Sequence, residues 1–478
     1  MPRPGVTVHI EEDSPRGTIQ LDTGQAYMIG ISDRGPLGAT RVLSLRDYHN
    51  KFGSSPSVLR DSVMAFFQEA APAGGSLYVS RLSGPTAVAA SGELGTDSGL
   101  QTEAASPGDW ANDVAVSTAA PPAGSPAGSV VLVIEEPAGT EVERSPALAT
   151  QADAVAWATR YSSFVRFAPE DPTAAMPAAG ATLTLAGGVS DDTVSEATVA
   201  SAGDAFGYQL GPGQILAPGL STPAVHQALV EHAASHHRVA LLDAPNTGSQ
   251  TELEAAIQAI QPTLESRYAG LFAPWLSYPG QVSPATTIVP YSAVQAGLIA
   301  RVDAAGNPAV SAAGDRSAHN GTLALLYEWS DEAHEEMNDQ GINLGKVVYG
   351  AIETYGYRTA AAGPETNWMF LGESRVVMAI AHECDVAAQP YLFEPIDGRG
   401  HLYSKLAKDL IAICTRYYDM DALYGATPAD AFRVMVAEVN TVIEAAAGEV
   451  VAVVRVKTSK VAEWVDIPIT KVPLDRAV

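Results

Sequence analysis

Basic residues are scarce in this chain. Its 28 Lys+Arg stand against 54 Asp+Glu, a net charge of −26 and a pI near 4.6. A deficit of that size argues against nucleic-acid binding, which needs a basic face, and it favours solubility. Cysteine is scarcer still: Cys384 and Cys414 are the only two in 478 residues. They cannot form a disulfide framework, and both sit in apolar helical patterns that suit buried, reduced thiols. Long apolar runs are missing too. None approaches the ~18–20 residues that a membrane helix needs, and the opening Met-Pro-Arg-Pro-Gly-Val has no signal-peptide core. The expectation is a protein made and folded in the cytoplasm, without membrane insertion.

What is present describes a soluble globular chain. Hydrophobic residues make up 46% and charged residues 17%, and the length suits about three domains. The charge is unevenly spread. Residues 346–478 hold 13 Lys+Arg against 17 Asp+Glu, which leaves 15 against 37 for the rest. An acidic outer body and an inner, protein-facing C-terminal domain would look like this.

An α/β unit begins with the β-run 25–32 and the turn signal Asp33-Arg34-Gly35-Pro36. A short helix over 44–52 capped by Ser44, a longer one over 56–70 and a strand over 76–82 follow. From about 84 to 203 Ala, Gly, Ser, Thr and Pro dominate. Strands at 113–117, 129–135 and 182–185 and a helix at 153–161 predict an inserted, mostly β domain. The α/β pattern resumes with apolar runs at 214–219, 238–243 and 268–275, separated by helices over 224–235 and 250–260, as a parallel sheet requires. A strand region with a tight turn spans 340–352, and two amphipathic helices span 374–388 and 402–418. In the second, Leu402, Leu406, Leu410 and Ile413 share a row, with Lys405, Lys408, Asp409 and Arg416 off it.

The C-terminal stretch reads as strand 432–439, helix 441–447 stopped by Gly448, and strands 449–456 and 464–469. The last strand alternates, with Val465, Ile467 and Ile469 on one side and Trp464, Asp466 and Pro468 on the other. Pro468 cannot donate to a ladder and belongs at an edge. A second terminal strand at 4–12 alternates Val6, Val8 and Ile10. Apolar edge strands like these aggregate or have designated partners, and both are expected to pair with neighbouring subunits.

One set of motifs, in order, resembles the contractile tail sheath family: Pro4-Gly5-Val6, Asp33-Arg34-Gly35-Pro36, Ser106-Pro-Gly-Asp-Trp-Ala-Asn-Asp113, Leu241-Leu-Asp-Ala-Pro245, Ala273-Pro-Trp275 and Gly341-Ile-Asn343. It continues through Phe393-Glu-Pro395, Leu423-Tyr-Gly-Ala-Thr427 and Ala431-Phe-Arg-Val434. The sequence departs from the family pattern at Ala111, where Gly is usual, in the lack of a Trp-Gly-Ala-Arg-Thr run within 349–359, and at Arg375, which has no second Arg beside it. The resemblance implies a multi-domain α/β fold with extended strand arms at 1–22 and 461–478. Between them it implies a subtilisin-like α/β core (23–90 and 204–345), an inserted mostly-β outer domain (91–203) and an α+β, tube-facing C-terminal domain (346–460). It also implies a structural subunit that polymerises as a helical homo-oligomer around an inner tail tube in a virion tail, with baseplate and tail terminator proteins as further partners. Lys405, Lys408 and Arg416 are the candidate tube contacts. Other readings are the sheath of a bacterial extracellular contractile injection system, a subtilisin-like hydrolase and a non-contractile shell protein.

Chemistry-bearing residues are few. Asp243 ends a strand, with His334, His382 and His401 downstream, but no Ser sits in a Gly-x-Ser-x-Gly elbow. His232 and His236 have the i, i+4 spacing of zinc ligands, with His237 next to them, but Ala233-Ala-Ser235 lies between and supplies no general base. Gly211-Pro-Gly213 lacks the Lys-Ser/Thr end of a phosphate loop. No catalytic, metal or cofactor-binding residue is expected.

Overall fold

The computed structural model describes residues 22–96, 98–280, 285–304, 307–361, 367–463 and 467–468. Unbroken apolar runs must be covered on both faces. Ala26–Gly30, Val239–Asp243 and Ala269–Ala273 are accordingly buried at every residue. They belong to an eight-stranded sheet ordered Thr40–Val42, Leu77–Arg81, Ala26–Gly30, Gln214–Leu216, Val239–Asp243, Ala269–Ala273, Ile342–Val348, Ala351–Thr354. All neighbours from Leu77–Arg81 to Ile342–Val348 are parallel, and the two edge strands run antiparallel to theirs. Parallel neighbours need crossovers, and helices supply them on both faces. Met28, Val79, Leu216, Leu241 and Phe272 meet helices Val58–Ala70 and Tyr291–Asp303 in one cluster. Tyr27, Ile29, Ile215, Leu242 and Leu271 meet helices Glu196–Asp204, Pro223–Ser235 and Gln250–Ile260 in the other.

Helix Tyr291–Asp303 is buried nearly all round, so it has no polar stripe to announce it. It packs on Val58–Ala70 through small residues. A Cβ added at Gly297 would lie 2.6 Å from the Phe66 carbonyl oxygen, so only glycine permits this approach. Glu69, fully buried beside it, accepts from the backbone N–H of Asn320 (2.7 Å) and Gly321 (2.9 Å) and from the Tyr278 hydroxyl.

The inserted domain leaves and rejoins the core where Gly84 N–H donates to the Asp191 carbonyl at 2.7 Å. It holds a four-stranded sheet (Thr182–Thr184, Ala115–Ala119, Val130–Glu135, Glu141–Leu148) and a three-stranded one (Ser91–Glu93, Leu100–Ala104, Val165–Pro169). With helix Gln151–Tyr161 these enclose a separate core around Leu132, Ile134, Trp157 and Phe167. Helix Glu196–Asp204 lies at the end of the 91–203 span and one residue past it, yet it sends Val199 and Ala202 into the α/β core.

In the C-terminal lobe, helices Leu371–Ala388 and His401–Asp419 pack through Val376, Ile380, Leu406, Leu410 and Ile413. A two-stranded antiparallel sheet, Phe432–Met435 with Val453–Val456, rests on them. The sheet strands are shorter than the runs 432–439 and 449–456. Between them helix Val442–Ala447 is capped by Thr441 and ends at Gly448, whose φ of 76° is left-handed. Of the six arm residues, Val6, Val8, Ile10, Val465 and Ile469 lie outside the described residues, and Ile467 is exposed.

Gly297→Val is expected to overpack the junction of the two core helices and lower stability by about 1–3 kcal/mol, read by urea denaturation.

Candidate inter-subunit surfaces

The chain enters the described fold at a tightly held point. The Thr23 hydroxyl donates to Asp303 at 2.6 Å, and the Thr23 carbonyl accepts from Gln214 (2.7 Å) and Arg375 (3.3 Å). Arg375 and Asp303 form an ion pair that is almost wholly buried. Arg375 also donates to the Pro308 carbonyl at 3.2 Å and the Tyr357 hydroxyl at 3.4 Å. Burial works against the guanidinium's charge, but Asp303 and Tyr357 outweigh it, and its pKa rises above the ordinary arginine value. Asp303 ends the central core helix, and Arg375 lies on the first helix of the C-terminal lobe. One ion pair therefore joins core, lobe and the root of the N-terminal segment.

The root of the C-terminal segment is held by a second arginine. After Val456 the chain is tied to the lobe by Ser459 N–H to the Ala422 carbonyl (3.0 Å) and the Thr458 hydroxyl to Glu373 (2.8 Å). It then reaches the core, where Arg358 grips Glu463 with Nη2 at 2.6 Å and Nε at 3.1 Å. Arg358 Nη1 holds Asp339 at 2.9 Å and the Asn338 carbonyl at 3.2 Å. A forked guanidinium–carboxylate contact fixes direction as well as distance.

The two-stranded sheet pairs Phe432 with Val456, Arg433 with Arg455, Val434 with Val454 and Met435 with Val453. Phe432, Val434, Val454 and Val456 pack onto the lobe, and Arg433 and Arg455 stand opposite each other on the outer face, both exposed. Like charges directly opposite are destabilising. Among the described residues no carboxylate lies within 4.0 Å of either. Two strands alone are marginal in water, and among the described residues neither has a second strand neighbour. The helix beside them exposes Val442 by 84% and Ile443 by 78%.

Of the three candidate tube contacts, Lys405 and Lys408 are exposed on helix His401–Asp419, with Lys405 3.9 Å from Glu394. Arg416 is half-buried and paired with Glu383, which also accepts from the Tyr417 hydroxyl at 2.8 Å. Its charge holds the two lobe helices together.

Asp243 does contact a serine. Its Oδ2 accepts from Ser292 Oγ at 2.6 Å and Gly219 N–H at 3.0 Å, and its Oδ1 accepts from Ser292 N–H at 2.7 Å. The nearby His226 meets only the Asp243 backbone carbonyl, at 3.1 Å. No imidazole stands between hydroxyl and carboxylate, and all three residues are buried. The carboxylate caps the central helix, and burial pushes its pKa up to about 6. His334 packs edge-on against Tyr355 and His382 lies over Tyr208, while His401 is exposed. His232 and His236 stack at 4.1 Å, and His232 Nε2 lies 2.8 Å from the Arg238 guanidinium. Among the described residues no group of three or more His, Cys, Asp and Glu could hold a metal.

No family model matches the sequence, and no curated protein matches it by sequence. Solved structures do. The sheath tail protein of Listeria innocua superposes with a TM-score of 0.61 at 12% identity, covering 92% of this chain and 96% of that one. The sheath complex of an extracellular contractile injection system in its contracted state gives 0.59 at 17% identity, with 98% of both chains covered. The contracted helical sheath of the anti-feeding prophage gives 0.59 at 15% identity, covering 98% and 99%. The chain has the fold of a tail sheath protein. The likeness in fold extends over 92–98% of the chain.

Several histidines of the sheath fold are buried as neutral rings. Burial lowers His226 and His334 to about 4 and His232 and His319 to about 3. Below pH ~6.5 the unfolded chain takes up protons that these rings refuse, so stability is lost as pH falls, by up to ~1.4 kcal/mol per unit for each ring. Asp243, Asp22, Glu136 and Glu353, whose carboxyls burial raises, act in the opposite sense, while burial lowers His49, His236, His237 and His382 as well and adds to the first effect. The melting temperature is expected to fall steadily from pH 6.5 to 4.5, checked by scanning calorimetry.

Proposed function

We propose that the protein is the structural subunit of a contractile tail sheath. It polymerises helically around an inner tail tube and shortens to drive the tube through a target cell envelope, without enzyme activity. The observation that carries this reading is likeness over almost the whole chain to proteins solved as contracted sheaths. Supporting it are two terminal segments with firmly held roots and a two-stranded sheet with open edges, the parts that strand exchange needs. A head-to-tail contact repeated without closing gives a helix. Contraction is then rigid-body rearrangement between two packings of one subunit, with main-chain hydrogen bonds of the arms kept throughout.

In this reading Val6, Val8, Ile10, Val465, Ile467 and Ile469 bury in neighbouring subunits. The core is subtilisin-like in fold only. Lys405 and Lys408 face the inner tube as steering charges. The polymer sits in a virion tail, assembled in the host cytoplasm with baseplate and tail terminator proteins. A second reading, the sheath of a bacterial extracellular injection system, is favoured by the 98% coverage of such a sheath at 17% identity.

Deleting residues 1–12 or 463–478 is expected to leave a folded monomer that forms no tubes by electron microscopy, whereas the parent protein forms hollow ones. Normal tubes from either truncation would sink the arm model. A serine-reactive fluorophosphonate is expected to leave Ser292 unlabelled; stoichiometric labelling would revive the hydrolase.

A further inference from the structure

We propose that the joint between the core and the inserted domain is a latch with two positions. The core's Arg34 sits either on an aromatic seat, Phe164 with Trp110, or on a carboxylate seat at Glu143. The latch goes beyond the sheath reading and stands without it.

Two motifs of the sequence, 33–36 and 106–113, meet at this joint. Gly35 N–H donates to Ser106 Oγ at 3.1 Å, and Arg81 Nη1 donates to the Pro107 carbonyl at 2.7 Å. A Cβ at Gly108, whose φ is 134°, would lie 3.2 Å from the Asp33 carbonyl oxygen, so the approach needs glycine. Asn112 exchanges two hydrogen bonds with Gly188, at 2.8 and 3.1 Å. Core and inserted domain have separate apolar clusters, so the inserted domain is able to turn about the joint as a unit.

Arg34 carries the charge of the joint. Its stem runs beside Gly53, where a Cβ would lie 3.5 Å from Nε, so the core fixes it. Its guanidinium carbon lies 4.2 Å from the centre of the Phe164 ring and 5.7 Å from that of Trp110. Such stacking holds a cation without hydrogen bonds. Nη1 is buried with no partner. Among the described residues no carboxylate lies within 4.0 Å of the guanidinium. A carboxylate stands close by all the same. Glu143 Oε1 accepts from Ser163 N–H at 2.7 Å, one residue before Phe164, while its Oε2 is buried and unpartnered. Glu143 and the half-buried Glu136 both act on Arg34 through space. A buried donor and a buried acceptor of opposite charge, each unpaired, cost free energy that their meeting removes. A small turn of the inserted domain about Gly35 and Ser106 brings Glu143 under Arg34, and the guanidinium exchanges ring for carboxylate.

The test measures the distance between spin labels on Ala156→Cys and Ala255→Cys in the full-length protein, by double electron–electron resonance. Both positions are exposed, on helices Gln151–Tyr161 and Gln250–Ile260. Burial pushes the native thiols up, Cys384 to about 12 and Cys414 to about 11, so they label slowly. The parent is expected to give one principal distance. Phe164→Leu keeps an apolar side chain and removes the ring, so the distance shifts to a second, equally narrow value. Adding Glu143→Gln to it empties both seats, and the distribution broadens, as it does in Arg34→Ala. Glu143→Gln alone is expected to keep the parental distance. Should Phe164→Leu unfold, Arg34→Lys serves in its place, because lysine pairs with carboxylates but stacks less well, and it is expected to populate the second distance. A parental distribution in Arg34→Ala would overturn the proposal. So would broadening without a second narrow distance in Phe164→Leu or Arg34→Lys, which leaves Arg34 a single seat.

Discussion

The buried ion pair between Arg375 and Asp303 is the constraint on which the rest of the architecture depends. It lies where the end of the central core helix, the first lobe helix and the incoming chain at Thr23 converge. Burying two charges costs heavily in desolvation, and separating them leaves one uncompensated, at about 3–5 kcal/mol. A junction of this kind does not slide. Core, lobe and the chain entering at Thr23 are therefore held together as one body.

Charge is organised around the same division. Residues 346–478, which contain the lobe, are close to balanced, and the acidic excess lies in the core and the inserted domain. Within the lobe the cations divide again. Arg416 is consumed internally by Glu383, whereas Arg433 and Arg455 face outward on the sheet.

Much of the fold was legible because it is written in local rules. Ser44 accepts from Asp47 N–H as a helix cap, Gly448 takes the left-handed conformation, and the apolar runs of the parallel sheet are buried on both sides. What escaped was structure whose signal is non-local. Helix Tyr291–Asp303 is buried on every side and shows no period in its apolar residues. Glu141–Leu148 and Val165–Pro169 in the inserted domain are held by cross-strand partners rather than by an apolar pattern of their own. Among the site residues, Arg416 matched its polar position on the helix, but its partner Glu383 lies on another helix, out of reach of any spacing rule. The Arg433–Arg455 juxtaposition is likewise a matter of register, and neither residue alone announces it.

The grip of Arg358 on Glu463 also sets a length. Val465 lies two residues beyond Glu463, a span of at most ~7 Å, whereas Ile10 lies thirteen residues before Thr23, a span of up to ~45 Å. The two tethers are of unequal reach. A body bound to the chain just past Glu463 would be held on a short leash at Arg358, free to pivot about that point but not to drift from it. A body bound around Ile10 could travel several times farther before its tether drew tight.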